Sequence, residues 1–238
     1  MQVTIRGSAG ESRLQVDFQA RELTIKLVYY GPALSGKTTN LQAIHRLLMP
    51  EGRGRLMTLE TRDDRTLFFD LLPLTVSTDT GLTVRIKLFT VPGQVIHNST
   101  RRLVLQGADG VAFIADSQVN EVRANQAAFK DLRKNLRENG IEPSSMPVVI
   151  QYNKRDLPNI RSDEEIERMA SMGRERTYLA TATHGTGVME TFMGLIEAAW
   201  ENLEHQHSLD QRFGLRAEHV LQNLSERFSE AVEIADHG

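Results

Sequence analysis

Cysteine is absent from the 238 residues. That absence removes disulfides, thiolate-bound zinc, palmitoylation and a prenylated tail together, and it accords with a reducing cytosol. A large excess of one charge sign is missing too. The 28 Lys and Arg stand against 31 Asp and Glu, a net charge of -3, and no run of like charge is long enough to follow a phosphate backbone. Nucleic acid is therefore not an expected partner. Long apolar runs are also lacking: Met1-Gln2-Val3-Thr4 does not open a signal peptide, no stretch is of bilayer length, and Gln2 stands where myristoylation requires glycine. The expectation is a cytoplasmic protein with no direct lipid anchor, carried to any membrane by another protein. A chain of this length can bury one good-sized α/β core with residues left over at both ends.

What is present alternates between strand and helix. Residues 1–15, with Gly7, Ser8, Gly10 and Ser12, read as a flexible lead, and the alternation of Leu14, Val16 and Phe18 adds an edge strand. A β-rich run from Leu23 to Tyr30 stops at Gly31-Pro32, and helical spacing follows from Thr38 to Leu48. A Gly/Arg-rich connector, Glu51 to Arg55, precedes strand-like runs at Thr66 to Val76 and Leu82 to Phe89. The continuous apolar runs Val111 to Ala115 and Val148 to Tyr152 read as central parallel strands buried on both faces. Between them lies an amphipathic helix, Asn120 to Glu138, and a helix from Ser162, a strand at Tyr178 to Ala182 and a closing helix at Val188 to His205 complete the series. This order predicts an α/β fold, a mostly parallel central sheet with helices on both faces, over residues 16–205. In the remaining 206–238 the helical spacing of Leu215, Val220, Leu221, Leu224, Phe228, Ala231 and Val232 predicts an extra C-terminal amphipathic helix, which either packs on its own domain or binds a partner.

Gly31-Pro32-Ala33-Leu34-Ser35-Gly36-Lys37-Thr38 matches the phosphate loop G-x-x-x-x-G-K-[ST] without a gap, between strand and helix as its mechanism demands. Backbone N–H groups of such a loop, with Thr39 just inside the helix, cradle phosphate; Lys37 reaches the β- and γ-phosphates and the Thr38 hydroxyl ligates magnesium. Asn153-Lys154-Arg155-Asp156 follows a strand at its carboxyl end, where open α/β sheets bind ligands. The Asp156 carboxylate there can accept from both N1–H and the 2-amino group of guanine, and adenine offers neither donor. Asn153 would brace the loop and Lys154 would lay its stem over the base. In Thr181-Ala182-Thr183 the Ala182 N–H is expected to point at the guanine carbonyl oxygen. Thr90-Val91-Pro92-Gly93-Gln94 ends another strand, where the Gly93 N–H can sense a γ-phosphate and Gln94 can orient the attacking water.

Together these motifs resemble the Ras superfamily, and their wording is similar to its bacterial MglA branch of polarity and motility GTPases, from about Val16 to Ala199. The marks are Val28-Tyr29-Tyr30-Gly31-Pro32, Gly36-Lys37-Thr38-Thr39-Asn40-Leu41-Gln42, Asp64-Arg65-Thr66-Leu67-Phe68-Phe69-Asp70, Thr90-Val91-Pro92-Gly93-Gln94, Ala115-Asp116-Ser117-Gln118 and Gln151-Tyr152-Asn153-Lys154-Arg155-Asp156-Leu157-Pro158-Asn159. The resemblance implies a GTP/GDP switch that uses Mg2+, is recognised by effectors, and is stimulated by a dimeric Roadblock-type, MglB-like activating protein. It implies that Thr66 contacts magnesium and the γ-phosphate and that Arg65 is an arginine finger in cis. Most G proteins carry a magnesium-side aspartate where this chain has Thr90; the MglA branch shares the threonine, and Asp70 is the candidate substitute. Ala33 stands where relatives have glycine, which implies slow intrinsic hydrolysis, and at the limit a nucleotide-locked scaffold with little turnover.

Overall fold

The computed structural model describes residues 2–6, 13–48, 53–60, 68–93 and 98–236. Nine strands form one sheet among them: β1 Gln2–Arg6, β2 Arg13–Asp17, β3 Glu22–Tyr30, β4 Met57–Glu60, β5 Phe68–Ser77, β6 Thr83–Thr90, β7 Gly110–Asp116, β8 Val148–Asn153 and β9 Arg176–Leu179. The main order is β4-β5-β6-β3-β7-β8-β9. Strands β6, β3, β7, β8 and β9 run parallel, and β5 and β4 extend the sheet antiparallel. β3 pairs with β6 along nearly its whole length. On its other edge β2 pairs with Glu22, Leu23 and Thr24, and β7 with Leu27 to Tyr30. Residues read above as a lead thus include strand β1, paired with β2.

The helices are α1 Lys37–Leu47, α2 Asn98–Leu105, α3 Val122–Glu138, α4 Asp163–Met172, α5 Val188–His207, α6 Leu209–Phe213 and α7 Ala217–Asp236, with a 3-10 turn, Val119–Glu121, before α3. Two apolar layers result because β3 and β7 are apolar on both faces. Leu23, Ile25, Leu27 and Tyr29 of β3, with Ala112 and Ile114 of β7, join the core under α1, α5 and α7. Val28 and Tyr30, with Val111, Phe113 and Ala115, join the core under α2 and α3. Ser162 starts α4 with a capping box: its hydroxyl accepts from the Glu165 N–H, and the Glu165 side chain returns to the Ser162 N–H.

Three departures from the sequence reading have physical causes. β8 is not buried on both faces; Val148, Ile150 and Tyr152 stay half-buried, because α3 covers β7 while α4 packs on β9. β4 is only four residues long, too short for a period. α2 buries Thr100 and Arg101 beside Val104 and Leu105, so polar residues at core positions hide its apolar stripe. The C-terminal helix α7 lies on α5, α1 and β5, with Val220, Leu224 and Phe228 buried. The Phe228 ring meets Phe192 edge to face at 6.3 Å, and Arg227 Nη1 donates to the Thr75 carbonyl of β5 at 2.8 Å.

Candidate nucleotide site

The loop between β3 and α1 lies at the carboxyl edge of the sheet, where β6 and β7 flank β3 on opposite sides, the switch point at which open sheets bind ligands. Gly36, at φ 95°, forms the N-cap of α1, and a β-carbon there would stand 2.2 Å from the Asn153 amide nitrogen. Glycine is needed for both the backbone conformation and the close approach. The first turn of α1 contains no acidic residue of its own, so its N–H groups and helix dipole favour an anion at that end. Lys37 is buried and its ammonium donates to the carbonyls of Gly31 at 3.1 Å and Pro32 at 2.5 Å. Burial, aided by the Arg101 cation and opposed by Asp70, pulls its pKa down to about 8. A bound phosphate would relieve that penalty, since an anion favours the charged lysine.

A cleft of about 410 Å³ opens between Gly36, Thr38, Thr58, Asp70, Thr90 and Gly93. Asp70 does not point at solvent. It is buried on β5, where its Oδ2 accepts from the hydroxyls of Thr38 at 2.6 Å and Thr90 at 2.8 Å, and its Oδ1 from Thr58 at 2.9 Å. Thr90 in turn accepts from the Asp70 N–H at 2.9 Å. Ala33 and Leu34 are exposed, and Gly93 lies against the loop so closely that a β-carbon on it would stand 2.4 Å from Ala33 N and Cα.

At the other end, Asn153 joins two loops: its amide nitrogen donates to the Ser35 carbonyl at 2.9 Å and its oxygen accepts from the Ala182 N–H at 2.9 Å. The Ala182 N–H, expected to point at a guanine carbonyl oxygen, thus donates to Asn153 in this structure. Thr183 beside it is exposed. The Lys154 ammonium is paired with Asp116 at 2.6 Å, and Asp156 is exposed, with no hydrogen bond or ion pair among the described residues. Arg65, Thr66 and Gln94 lie outside the described residues.

No protein-family model matches the chain. It is, however, 44% identical over 189 residues to the mutual gliding-motility protein MglA of Myxococcus xanthus (strain DK1622), a match that covers 79% of this chain and 97% of that protein. The chain belongs to the MglA family of small Ras-like GTPases. In this MglA-type chain several site residues carry no signal in spacing alone. Thr58 reaches Asp70 from the short strand β4. Asn40 and Gln151 exchange two hydrogen bonds at 2.9 Å, and Gln151 also donates to Thr191 at 2.8 Å, a buried polar tie between α1, β8 and α5 directly under the phosphate loop. Arg101, buried on α2, pairs with Asp131 at 2.9 Å.

A magnesium ion fits the donors of this MglA-family site. Among the described residues no three His, Asp or Glu side chains gather as a metal cage. Magnesium is ordinarily held by one or two protein oxygens plus phosphate and water, and does not need one. The Thr38 hydroxyl suits the ion because its lone pairs are available while its proton is directed to Asp70.

Proposed function

We propose that this chain is a guanine-nucleotide switch that hydrolyses GTP to GDP with Mg2+, acts in the cytoplasm, and signals through partner proteins in bacterial cell polarity or motility. The observation that carries the reading is the union made by Asn153, one side chain bonded to both the phosphate loop and the segment beside the base-reading motif. A phosphate site alone would suit any P-loop enzyme; joined to an exposed Asp156 it suits a guanine nucleotide. The MglA relative, named for gliding motility, supports the pathway.

In this reading the loop N–H groups and Lys37 hold the phosphates. Thr38, backed by Asp70, and Thr66 would hold the cation, which would supply positive charge beside the phosphates. Asp156 accepts two hydrogen bonds from guanine, and an adenine there would leave a carboxylate unpaired. The Gly93 N–H faces the γ-phosphate, Gln94 orients the water, and Arg65 stabilises transition-state charge, an effect worth about a thousandfold or more where it has been weighed. A Roadblock-type, MglB-like partner would accelerate turnover by seating these switch residues.

Two measurements test the proposal. Nucleotide released by denaturing the purified protein is expected to be GDP or GTP, and equal loading with adenine nucleotides would refute the base assignment. Single-turnover phosphate release from preloaded GTP is expected to fall sharply in Gln94→Leu and Arg65→Ala with nucleotide binding retained; unchanged rates in both would remove these residues from the mechanism.

A further inference from the structure

The half-covered face of β8 forms the floor of a second cavity, separate from the nucleotide site. Between α3 and the sheet lies a half-open groove of about 580 Å³, floored by Phe113, Ile150 and Tyr152, with Phe129 of α3 stacked edge-on against Phe113 at 5.0 Å. Its volume falls within the range of functional sites. The wall is unlike the floor. Gln126, Lys130, Arg133 and Arg137 line it at spacings of four, three and four residues, one stripe of the helix over three turns, or about 16 Å.

Those three cations are exposed and make no ion pair among the described residues. The acids of the same helix are engaged elsewhere: Asp131 with Arg101, and Glu138 with Arg102 and Lys134. No Asp or Glu lines the groove. An apolar trough beside cations one helical turn apart is the complement of a helix whose apolar stripe is flanked by carboxylates one turn apart. A fatty-acyl carboxylate would also match the apolar floor, but it would engage a cation at one end only and leave a wall of about 16 Å unused.

We propose that the groove between α3 and β8 docks an acidic amphipathic helix of a partner protein. The test is selection of binders from a displayed library of 16-residue helices with randomised surface positions, using the full chain loaded with GDP. Winners are then titrated by fluorescence anisotropy against the wild type and the Arg133→Glu/Arg137→Glu double variant. These side chains are exposed, so the variant is expected to keep the wild-type melting temperature and bound nucleotide. The expected result is a set of winners with Asp or Glu at one-turn spacing beside an apolar stripe. Their affinity should weaken at least tenfold in the double variant and also fall with added salt. Winners without acidic spacing, affinities unmoved by the charge reversal, or no winners at all would overturn the proposal. Laurate binding that is weakened by the same reversal, with no helix selected, would assign the groove to a small amphipathic acid instead.

Discussion

Replacing Asp70 by asparagine keeps the side chain's shape and removes one charge from beneath the phosphate loop. The carboxylate stands one hydrogen bond, 2.6 Å, behind the Thr38 hydroxyl. Adding a magnesium–oxygen distance of about 2.1 Å puts the charge within about 4.7 Å of a cation held by that hydroxyl. Between a divalent cation and a unit charge at that separation, even the dielectric of water leaves about 2 kcal/mol of attraction, and the buried position of Asp70 makes this a lower bound. A change of that size is roughly 20- to 30-fold in affinity, inside the ten- to hundredfold usual for partners one step behind a metal ligand. The variant also turns one of the two accepting oxygens into an amide nitrogen, so either Thr58 or the pair Thr38 and Thr90 loses its acceptor, which costs about 1 kcal/mol or somewhat more and a few degrees of melting temperature. Dissociation of a fluorescent GDP analogue is measured as free magnesium is varied. The midpoint for the wild type should lie at least tenfold lower than for Asp70→Asn. A folded variant with an unmoved midpoint would show that Asp70 only ties β5 to its neighbours.

Gly93→Ala sets a methyl against the backbone of Ala33, 2.4 Å away, and that backbone cannot yield as a side-chain tip would. GDP binding should persist while phosphate release slows at least tenfold; an unchanged rate would remove the Gly93 contact from the working state. Burial pushes the Asp109 carboxyl up to about 7, so the folded chain keeps a proton between about pH 4 and 7 that the unfolded chain has lost. Stability from this group is complete below pH 4 and is lost as pH rises through 7. Asp109→Asn does not titrate and can still accept from the Lys26 N–H, so its advantage in melting temperature should grow from pH 5 to pH 8, and a constant difference would refute the assignment. Truncation after His207 removes the buried Leu215, Val220, Leu224 and Phe228, each worth about 1.5–3 kcal/mol before ordering entropy. The shortened chain should be insoluble or melt at least 10 °C lower, an outcome that an unchanged melting curve would exclude.

The strand–loop–helix placement of Gly31 to Thr38 was legible because the motif is strict and local: the glycines, lysine and threonine must follow one another in order. The bracing role of Asn153 was legible for a related reason, since its position at a strand end brings it to the loop. The destination of the Ala182 N–H was not, because it depends on which acceptor from a distant strand lies nearest. Asp70 was within reach through family wording, but its partner Thr58 sits on a four-residue strand that carries no periodic signal. The half-covered face of β8 was misread for the opposite reason. Its apolar run describes what the strand could bury, whereas the covering is decided by where α4 docks, on β9.

The division of the β3 edge between β2 and β7 bears on how the chain is made. β1, β2 and β3 form a meander that can close as soon as Tyr30 leaves the ribosome. Strand β7 begins at Gly110, and at ordinary rates of synthesis roughly 4–16 s pass before it can pair with Leu27 to Tyr30. Through that interval an apolar strand bound for the middle of the sheet would present open edges to any neighbouring nascent chain. The meander already covers three of the nine residues along one edge, and four more pair only when β7 arrives. The N-terminal hairpin thus shortens, on that side, the edge open to strand-to-strand association while the chain is being made.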